Sequence, residues 1–221
     1  MKIYTIHILR SYKQFNSLKN MKTLIIYAHP SKQSYTHEVL IQLKSNLIKE
    51  QIDFEVSDLY ASNFQTDMTE EEYQREGFVN FDLPIPNDVL KEQQKIREAD
   101  CLIFLYPVWW SDCPAKLKGW FDRVYSVGYA YGKEDTDKVE RMKVVKYGLV
   151  ICTAGHSNEF LKEIGIAESM RNVMLDDRLG KRFKHKEMLI LGGTTQKEKV
   201  KQRHSQIIQT IGSKIKEYCA Q

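Results

Sequence analysis

The architecture of this chain follows from one stretch: Cys101-Leu-Ile-Phe-Leu-Tyr-Pro-Val-Trp-Trp-Ser-Asp-Cys-Pro-Ala-Lys-Leu-Lys-Gly-Trp-Phe-Asp-Arg123. Its opening run, residues 101–106, consists of residue types that are usually buried, as in a strand covered on both faces. The run stops at Pro107, two adjacent tryptophans follow, and a helical pattern begins after Pro114. Ligands of open parallel sheets bind just beyond the carboxyl ends of strands. The stretch therefore predicts an α/β fold with a binding site after this strand.

The same alternation of strand and helix runs through the chain from residue 22 onward. Short apolar runs predict strands at residues 23–28, 54–58, 101–106, 144–152 and 187–191. Apolar residues at helical spacing predict helices at residues 36–49, 88–99, 115–125 and 196–219. Such alternation implies right-handed crossovers between parallel strands. We predict one doubly wound, five-stranded parallel sheet with helices on both faces.

The basic balance of the chain comes from its first twenty residues. The chain carries 33 Lys and Arg against 29 Asp and Glu, a net charge of +4. Residues 1–20 contain Lys2, Arg10, Lys13 and Lys19 and no acid, so the remainder balances at 29 basic against 29 acidic residues. A neutral body gives no argument for nucleic acid binding. We expect residues 1–20 to be a disordered or dispensable extension and residues 21–221 to form a single domain.

Cysteine usage and hydropathy indicate a cytoplasmic protein. The four cysteines show no paired spacing that would suggest a disulfide framework or a zinc site. No stretch approaches the roughly eighteen consecutive apolar residues of a transmembrane helix. No histidine falls in a metal-ligand spacing either, so no metal site is expected.

The loop after the first strand is a candidate phosphate site. It reads His29-Pro-Ser-Lys-Gln-Ser-Tyr-Thr36 and runs directly into a helix. Hydroxyl groups, together with free N–H groups at a helix N-terminus, suit an anion. The glycine patterns of Walker loops and dinucleotide-binding turns are absent. Ordinary helix caps look similar, so the loop alone leaves a phosphate site and a simple cap both open.

The segment Pro107-Val-Trp-Trp-Ser111 is a candidate shelf for a flat aromatic ring, such as that of a flavin. Side chains of adjacent residues in an extended segment face opposite ways. One of Trp109 and Trp110 is therefore expected to pack inward while the other faces the crevice. The alternative is that both indoles belong to the core.

Other candidates lie further along the chain. Thr153-Ala-Gly-His156 follows the fourth strand, with small side chains suited to the polar edge of an isoalloxazine ring and a histidine that could donate to a substrate. Tyr131 is a candidate aromatic wall, although loop tyrosines also pack without function. The long segment 58–88 contributes either to a site or only to the surface. Within it, Thr69-Glu-Glu-Glu72 is a capping-box signal that predicts a short helix. The basic run at residues 181–186 is expected to be a solvated turn, or else a contact for a nucleotide phosphate.

Taken together, several motifs resemble the NAD(P)H:quinone oxidoreductases of the flavodoxin-like fold, the DT-diaphorase type. The motifs are Leu24-Ile-Ile-Tyr-Ala-His29, Ser34-Tyr-Thr36, Ser57-Asp-Leu-Tyr-Ala-Ser-Asn-Phe64, Lys116-Leu-Lys-Gly-Trp-Phe-Asp-Arg-Val124, Gly128-Tyr-Ala-Tyr131 and Cys152-Thr-Ala-Gly155. The resemblance covers residues 22 to about 157 and then fades.

The resemblance implies a role for each matching residue. The flavin phosphates and ribityl chain would be held by His29, Ser34, Tyr35 and Thr36. The flavin ring would lie along Pro107, Val108, Trp109, Trp110, Ser111, Thr153, Ala154 and Gly155. Trp110 and Tyr131 would frame the pocket in which nicotinamide and quinone alternate, with His156 as a further catalytic candidate.

The resemblance also implies a mechanism, a cofactor and an assembly. These enzymes transfer hydride by a ping-pong mechanism through the flavin, and commonly work as homodimers. NAD(P)H would be the co-substrate, and the long segment 58–88 favours FAD over the alternative FMN. In place of a tyrosine and a histidine suggested to relay protons in mammalian-type members, this chain has Phe160 and Ala167. The relay is therefore absent or replaced, with His156 as one substitute.

Two other functions are compatible with these residues. One is an ancillary flavin-binding subunit that regulates an ion-efflux system. The other is a flavodoxin-type electron carrier, although such carriers tend to be strongly acidic and this chain is not.

Overall fold

The computed structural model describes residues 21–132 and 140–220, so the predicted extension at residues 1–20 lies outside the described residues. The described chain contains five strands: β1 (Lys22–Tyr27), β2 (Asp53–Asp58), β3 (Cys101–Pro107), β4 (Val145–Thr153) and β5 (Phe183–Leu191). They form one parallel sheet in the order β2-β1-β3-β4-β5. The predicted α/β, doubly wound, five-stranded parallel sheet is confirmed. The strand order reverses between β1 and β3, where open sheets of this kind bind their ligands.

Helices cover both faces of the sheet. The α-helices of the described residues are α1 (Tyr35–Lys49), α2 (Glu70–Gly77), α3 (Asn87–Glu98), α4 (Ala115–Val124), α5 (Asn158–Glu163), α6 (Ile166–Arg171), α7 (Lys197–Gln209) and α8 (Ile211–Cys219). A π-helical segment, Asn172–Leu179, continues directly from α6. The apolar sides of α1, α7 and α8 pack on one face of the sheet. Those of α3, α4, α5, α6 and the π-helical segment pack on the other. No described helix is long and apolar enough to cross a bilayer.

The closing helix differs from the prediction, because it breaks at Thr210 into α7 and α8. The side chain of Asn46 on α1 accounts for the break. Its amide donates to the carbonyl of Gln209 at 2.9 Å, and its oxygen accepts from the N–H of Gly212 at 2.8 Å. A side chain from another element thus takes hydrogen bonds that a continuous helix would make within itself.

The basic run at residues 181–186 was predicted to be a solvated turn, and this is wrong for most of it. Strand β5 begins at Phe183, whose ring is buried where a Cβ on Gly148 would come within 2.5 Å of it. Because Gly148 has no side chain, it leaves space on β4 for the ring of Phe183. Packing of that ring places the backbone from Phe183 onward in the sheet.

The long segment between β2 and α3 is clamped onto α4. The predicted capping box is present, with Thr69 and Glu72 bonding each other's backbone at the start of α2. The guanidinium of Arg123, on α4, is buried and donates to Glu72 at 2.7 Å and to Asp88 at 2.6 Å. Gly119 permits close approach, since a Cβ there would lie 2.4 Å from the carbonyl oxygen of Thr66. The segment therefore packs as part of the body.

This close approach predicts the effect of a single methyl group. Gly119→Ala should lower the free energy of unfolding by about 1–3 kcal/mol, because the added Cβ overlaps a backbone that Arg123 holds in place. Urea denaturation followed by circular dichroism measures this change. Gly77→Ala is the matched control, since its nearest neighbour would lie 3.6 Å from the new Cβ. Equal stability of the two variants would contradict this packing of the segment on α4.

Candidate functional site

The carboxyl ends of β1, β3 and β4 meet at one edge of the sheet. The hydroxyl of Thr36, at the start of α1, lies 2.7 Å from that of Thr153, at the end of β4. The N–H of Val108 donates to the carbonyl of Thr153 at 2.8 Å. The ring of His29 meets the indole of Trp109 edge to face, with ring centroids 5.9 Å apart. Three loops that are distant in sequence, each singled out by its residues, are thus brought together.

The loop after β1 presents donors to this edge. Ser34 caps α1, and its hydroxyl accepts from the N–H of His37 at 3.1 Å. The N–H groups of Tyr35 and Thr36, in the first turn of α1, have no acceptor within the described chain. Together with the positive end of the helix dipole, they make this turn suitable for an anion.

The tautomer of His29 follows from its hydrogen bond. The ring nitrogen Nδ1 accepts from the N–H of Ser31 at 3.0 Å. In the neutral ring the proton then resides on Nε2, which can donate to a ligand. Burial lowers the pKa of His29 below its ordinary value of 6.5, so the neutral form is favoured. His29 is therefore a neutral donor at pH 7.

Helix α7 contributes residues that the sequence did not single out as part of a site. His204 is buried, and its Nδ1 lies 2.8 Å from the hydroxyl of Tyr35. Lys197 and Lys201 flank the first turn of α1 and contact Glu38 at 3.2 and 3.8 Å. A polar residue at an inward position of an amphipathic helix was the available signal for His204.

The aromatic shelf is a tight turn rather than an extended segment. The N–H of Trp109 donates to the carbonyl of Asp112 at 2.9 Å, and the N–H of Asp112 donates back at 3.1 Å. Between them, Trp110 and Ser111 have φ values of +49° and +63°. We call residues 109–112 the shelf turn. The expectation that one indole would pack inward is wrong, since Trp109 is partly exposed and Trp110 fully exposed.

The backbone of the shelf turn is strained. Two successive residues with positive φ are typical of type I′ turns, which favour Asn-Gly rather than Trp-Ser. The left-handed conformation costs roughly 1–2 kcal/mol for each residue that has a side chain. Strain of this kind persists only where surrounding structure holds it.

An ion pair that the sequence did not predict holds the end of the shelf turn. Arg178 donates to both carboxylate oxygens of Asp112, at 2.9 and 3.0 Å. Burial alone would raise the pKa of Asp112, but the bonds from Arg178 and from the N–H of Cys113 hold it below its ordinary value. Arg178 lies in the π-helical segment, which no sequence pattern indicated.

The end of β4 presents an open edge. A Cβ on Gly155 would meet only the methyl group of Thr195, at 3.4 Å, so space remains beside the backbone. The N–H of Ala154 is used within the sheet, where it donates to Leu191 at 3.0 Å. His156 is exposed and its ring lies 4.7 Å from that of Phe160.

No ring contact joins Tyr131 to Trp110 in the described residues. The hydroxyl of Tyr131 donates to Glu76 of α2 at 3.0 Å. It lines a cleft of about 310 Å³ together with Phe121 and Arg178. The pocket that Trp110 and Tyr131 are expected to frame therefore stays a prediction.

Comparison with known proteins identifies the family. The sequence profile of a family described as having a flavodoxin-like fold matches residues 21–215. The chain belongs to this flavodoxin-like family.

Several known proteins are similar to much of the chain. A structure of an NAD(P)H:quinone oxidoreductase from Methanothermobacter marburgensis is 43% identical, covers 87% of this chain and 96% of its own, and superposes with a TM-score of 0.80. The human ribosyldihydronicotinamide dehydrogenase [quinone] is 30% identical, over 66% of this chain and 68% of its own length. A ribosyldihydronicotinamide dehydrogenase-like protein of Penicillium crustosum is 35% identical over 70% of this chain, which spans 65% of that relative. The resemblance to quinone oxidoreductases is confirmed.

Two histidines of this flavodoxin-like protein, the half-buried His29 and the buried His204, predict its stability at low pH. Burial lowers the pKa of both His29 and His204 in the folded state. The unfolded chain therefore takes up protons first as the pH falls below about 6.5, which favours unfolding. Urea midpoints should be lower at pH 5.5 than at pH 7.5, and His204→Asn should reduce this difference.

The matched control is His156→Asn, which alters an exposed histidine of the same site. It should retain the pH dependence of the parent protein. If His204→Asn has the same pH dependence as the parent, His204 does not contribute the predicted linkage.

Proposed function

We propose that this protein is a flavin-dependent NAD(P)H oxidoreductase that reduces quinones or related flat electrophiles by two electrons. The observation that carries the proposal is the shelf turn, which presents Trp110 at the edge where β1, β3 and β4 end. An exposed indole costs free energy unless a ligand or a partner covers it. The similarity to quinone oxidoreductases supports the same function.

The phosphate end of a flavin fits the loop after β1. The first turn of α1 offers the N–H groups of Tyr35 and Thr36, and the neutral ring of His29 offers Nε2. The Ser34 hydroxyl is engaged in capping, and the Thr36 hydroxyl pairs with Thr153, so these side chains shape the loop. In the proposal, backbone donors therefore carry most of the phosphate contact.

The ring of a flavin fits the space between the shelf turn and the end of β4. In the proposal, backbone from Pro107 to Ser111 lines one side. On the other side Thr153 and Ala154 are buried, and the space lies beside the backbone of Gly155. The bound flavin would supply hydride acceptance and donation. The protein contributes stacking from Trp109 and Trp110 and the orientation of the substrate plane.

A proton must accompany reduction of a quinone. Phe160 and Ala167 hold the positions at which the resemblance implied a relay. Within the proposal His156 takes this role, because its ring is exposed beside the open edge and rests against Phe160.

FAD is the flavin that the surroundings of α1 favour within the proposal. Polar groups extend the phosphate site toward α7. They are the cations of Lys197 and Lys201 and the hydrogen-bonded pair of Tyr35 and His204. A second phosphate would meet the two lysines that contact Glu38 there, whereas FMN would leave this surface unused.

We propose that the protein works in the cytoplasm as a homodimer. Trp110, Tyr131 and Val173 are exposed large apolar residues, so a second copy would cover surface that one copy leaves open. The four cysteines are buried free thiols, as expected in a reducing compartment.

The first test is the absorption spectrum of the purified protein. Oxidised-flavin absorbance that bleaches with NAD(P)H and returns with a quinone is expected, and chromatography of the heat-released chromophore should yield FAD. Release of FMN would overturn the FAD assignment alone. A colourless protein that takes up neither flavin would overturn the function.

The second test removes the exposed indole. Trp110→Ala should weaken flavin binding or quinone turnover about tenfold, given roughly 1–1.5 kcal/mol for a lost aromatic contact. Phe78→Ala, which removes another exposed aromatic ring away from the strand ends, is the control and should leave both quantities unchanged. Full flavin binding and full turnover in Trp110→Ala would show that the shelf turn is not the flavin site.

A further inference from the structure

We propose that Arg178 is a positioning residue, which through Asp112 holds the shelf turn in the conformation that presents Trp110 to the site. The inference rests on the proposed flavin role of the shelf turn. It adds a residue distant in sequence, beyond the motifs on which the resemblance was based.

The shelf turn does not owe its conformation to its own residues. Both central positions, Trp110 and Ser111, carry side chains and have positive φ. A short loop with this conformation ordinarily requires glycine or asparagine. The two hydrogen bonds between Trp109 and Asp112 close the turn but leave its tip without further support. A restraint from outside the turn is needed to select this conformation.

Arg178 provides that restraint at the last residue of the turn. Its guanidinium bonds both oxygens of the Asp112 carboxylate, an arrangement that fixes orientation as well as distance. The N–H of Cys113 donates to the same carboxylate at 2.7 Å. The Asp112 side chain is thus held from two directions, and the backbone that carries it cannot rotate freely.

Arg178 is itself held rigidly enough to act as a reference point. Its guanidinium is buried, lies 5.1 Å from the centre of the Phe121 ring, and contacts the sulfurs of Cys113 and Met174 at 3.3 and 3.1 Å. Arg182 donates to its backbone carbonyl at 2.9 Å. The π-helical segment therefore carries a fixed cation to the shelf turn, and π-helical turns are frequent at functional sites.

Three variants test the inference. Arg178→Met removes the cation and keeps an apolar chain of similar reach, and Asp112→Asn removes the carboxylate charge while keeping its shape. Arg178→Met combined with Ser111→Gly adds a residue that adopts positive φ without strain. The control is Lys214→Met, which breaks the Lys214–Glu187 ion pair between α8 and β5.

Two readouts separate positioning from general stability. The first is the ¹⁹F resonance of 5-fluorotryptophan at Trp110, recorded without added flavin and assigned with Trp110→Phe. The second is the dissociation constant for FAD. Arg178→Met and Asp112→Asn should shift or broaden the Trp110 resonance and weaken FAD binding about tenfold, which corresponds to about 1.4 kcal/mol. Ser111→Gly should restore both readouts in the Arg178→Met background, and Lys214→Met should change neither.

Loss of the positioning role and loss of the proposed function give different results. An unchanged Trp110 resonance in both single variants, or failure of Ser111→Gly to restore either readout, would overturn the positioning role. If Arg178→Met does not fold, the same comparison is made between Asp112→Asn alone and Asp112→Asn combined with Ser111→Gly. A parent protein that binds no flavin, but whose Trp110 resonance responds as expected, would overturn the proposed function and leave the positioning role standing.

Discussion

The site depends on a continuous seam of backbone hydrogen bonds at the carboxyl edge of the sheet. Just beyond the ends of β1, β3 and β4, a backbone N–H donates a hydrogen bond to a carbonyl of the neighbouring strand. The three bonds run from Ala28 to Leu105, from Val108 to Thr153 and from Ala154 to Leu191. These bonds fix the point at which each loop leaves the sheet, so the three loops begin side by side at its carboxyl edge. The contact of His29 with Trp109, and that of Thr36 with Thr153, follow from this arrangement.

Two buried guanidinium groups attach segments outside the sheet to the body of the protein. Arg123, on α4, binds Glu72 and Asp88 and so attaches the long segment after β2. Arg178 stacks on Phe121 of the same helix and binds Asp112. Removal of one partner would leave a buried charge without compensation, which is costly. Helix α4 therefore supports both the long segment after β2 and the shelf turn.

Chemistry at this edge would be divided between the protein and its cofactor. The protein supplies a neutral histidine, helix N–H groups, two indoles and an open backbone edge. These groups suit the binding of a planar, phosphorylated molecule. The relationship to quinone oxidoreductases and the composition of the site both support the proposed function.

Much of this protein could be predicted from local patterns of residues. Apolar runs and helical spacing predicted the five strands and most helices, because burial on both faces of a parallel sheet demands such runs. The capping box at Thr69 and the family resemblance were readable for the same reason, since each depends on residues close together in the chain. The loops that form the candidate site were also identified, because they follow the strands directly.

The remaining features required contacts between residues far apart in sequence. The positive φ values of Trp110 and Ser111 contradict their local preference, and Arg178, 66 residues beyond Asp112, meets that turn only in the folded chain. Asn46 ends α7 from another helix, and Glu76 draws the hydroxyl of Tyr131 to α2. Local sequence predicts which residues are buried and where loops begin. The conformation of a loop also depends on hydrogen bonds and ion pairs with side chains far away in sequence, such as the one from Arg178 to Asp112.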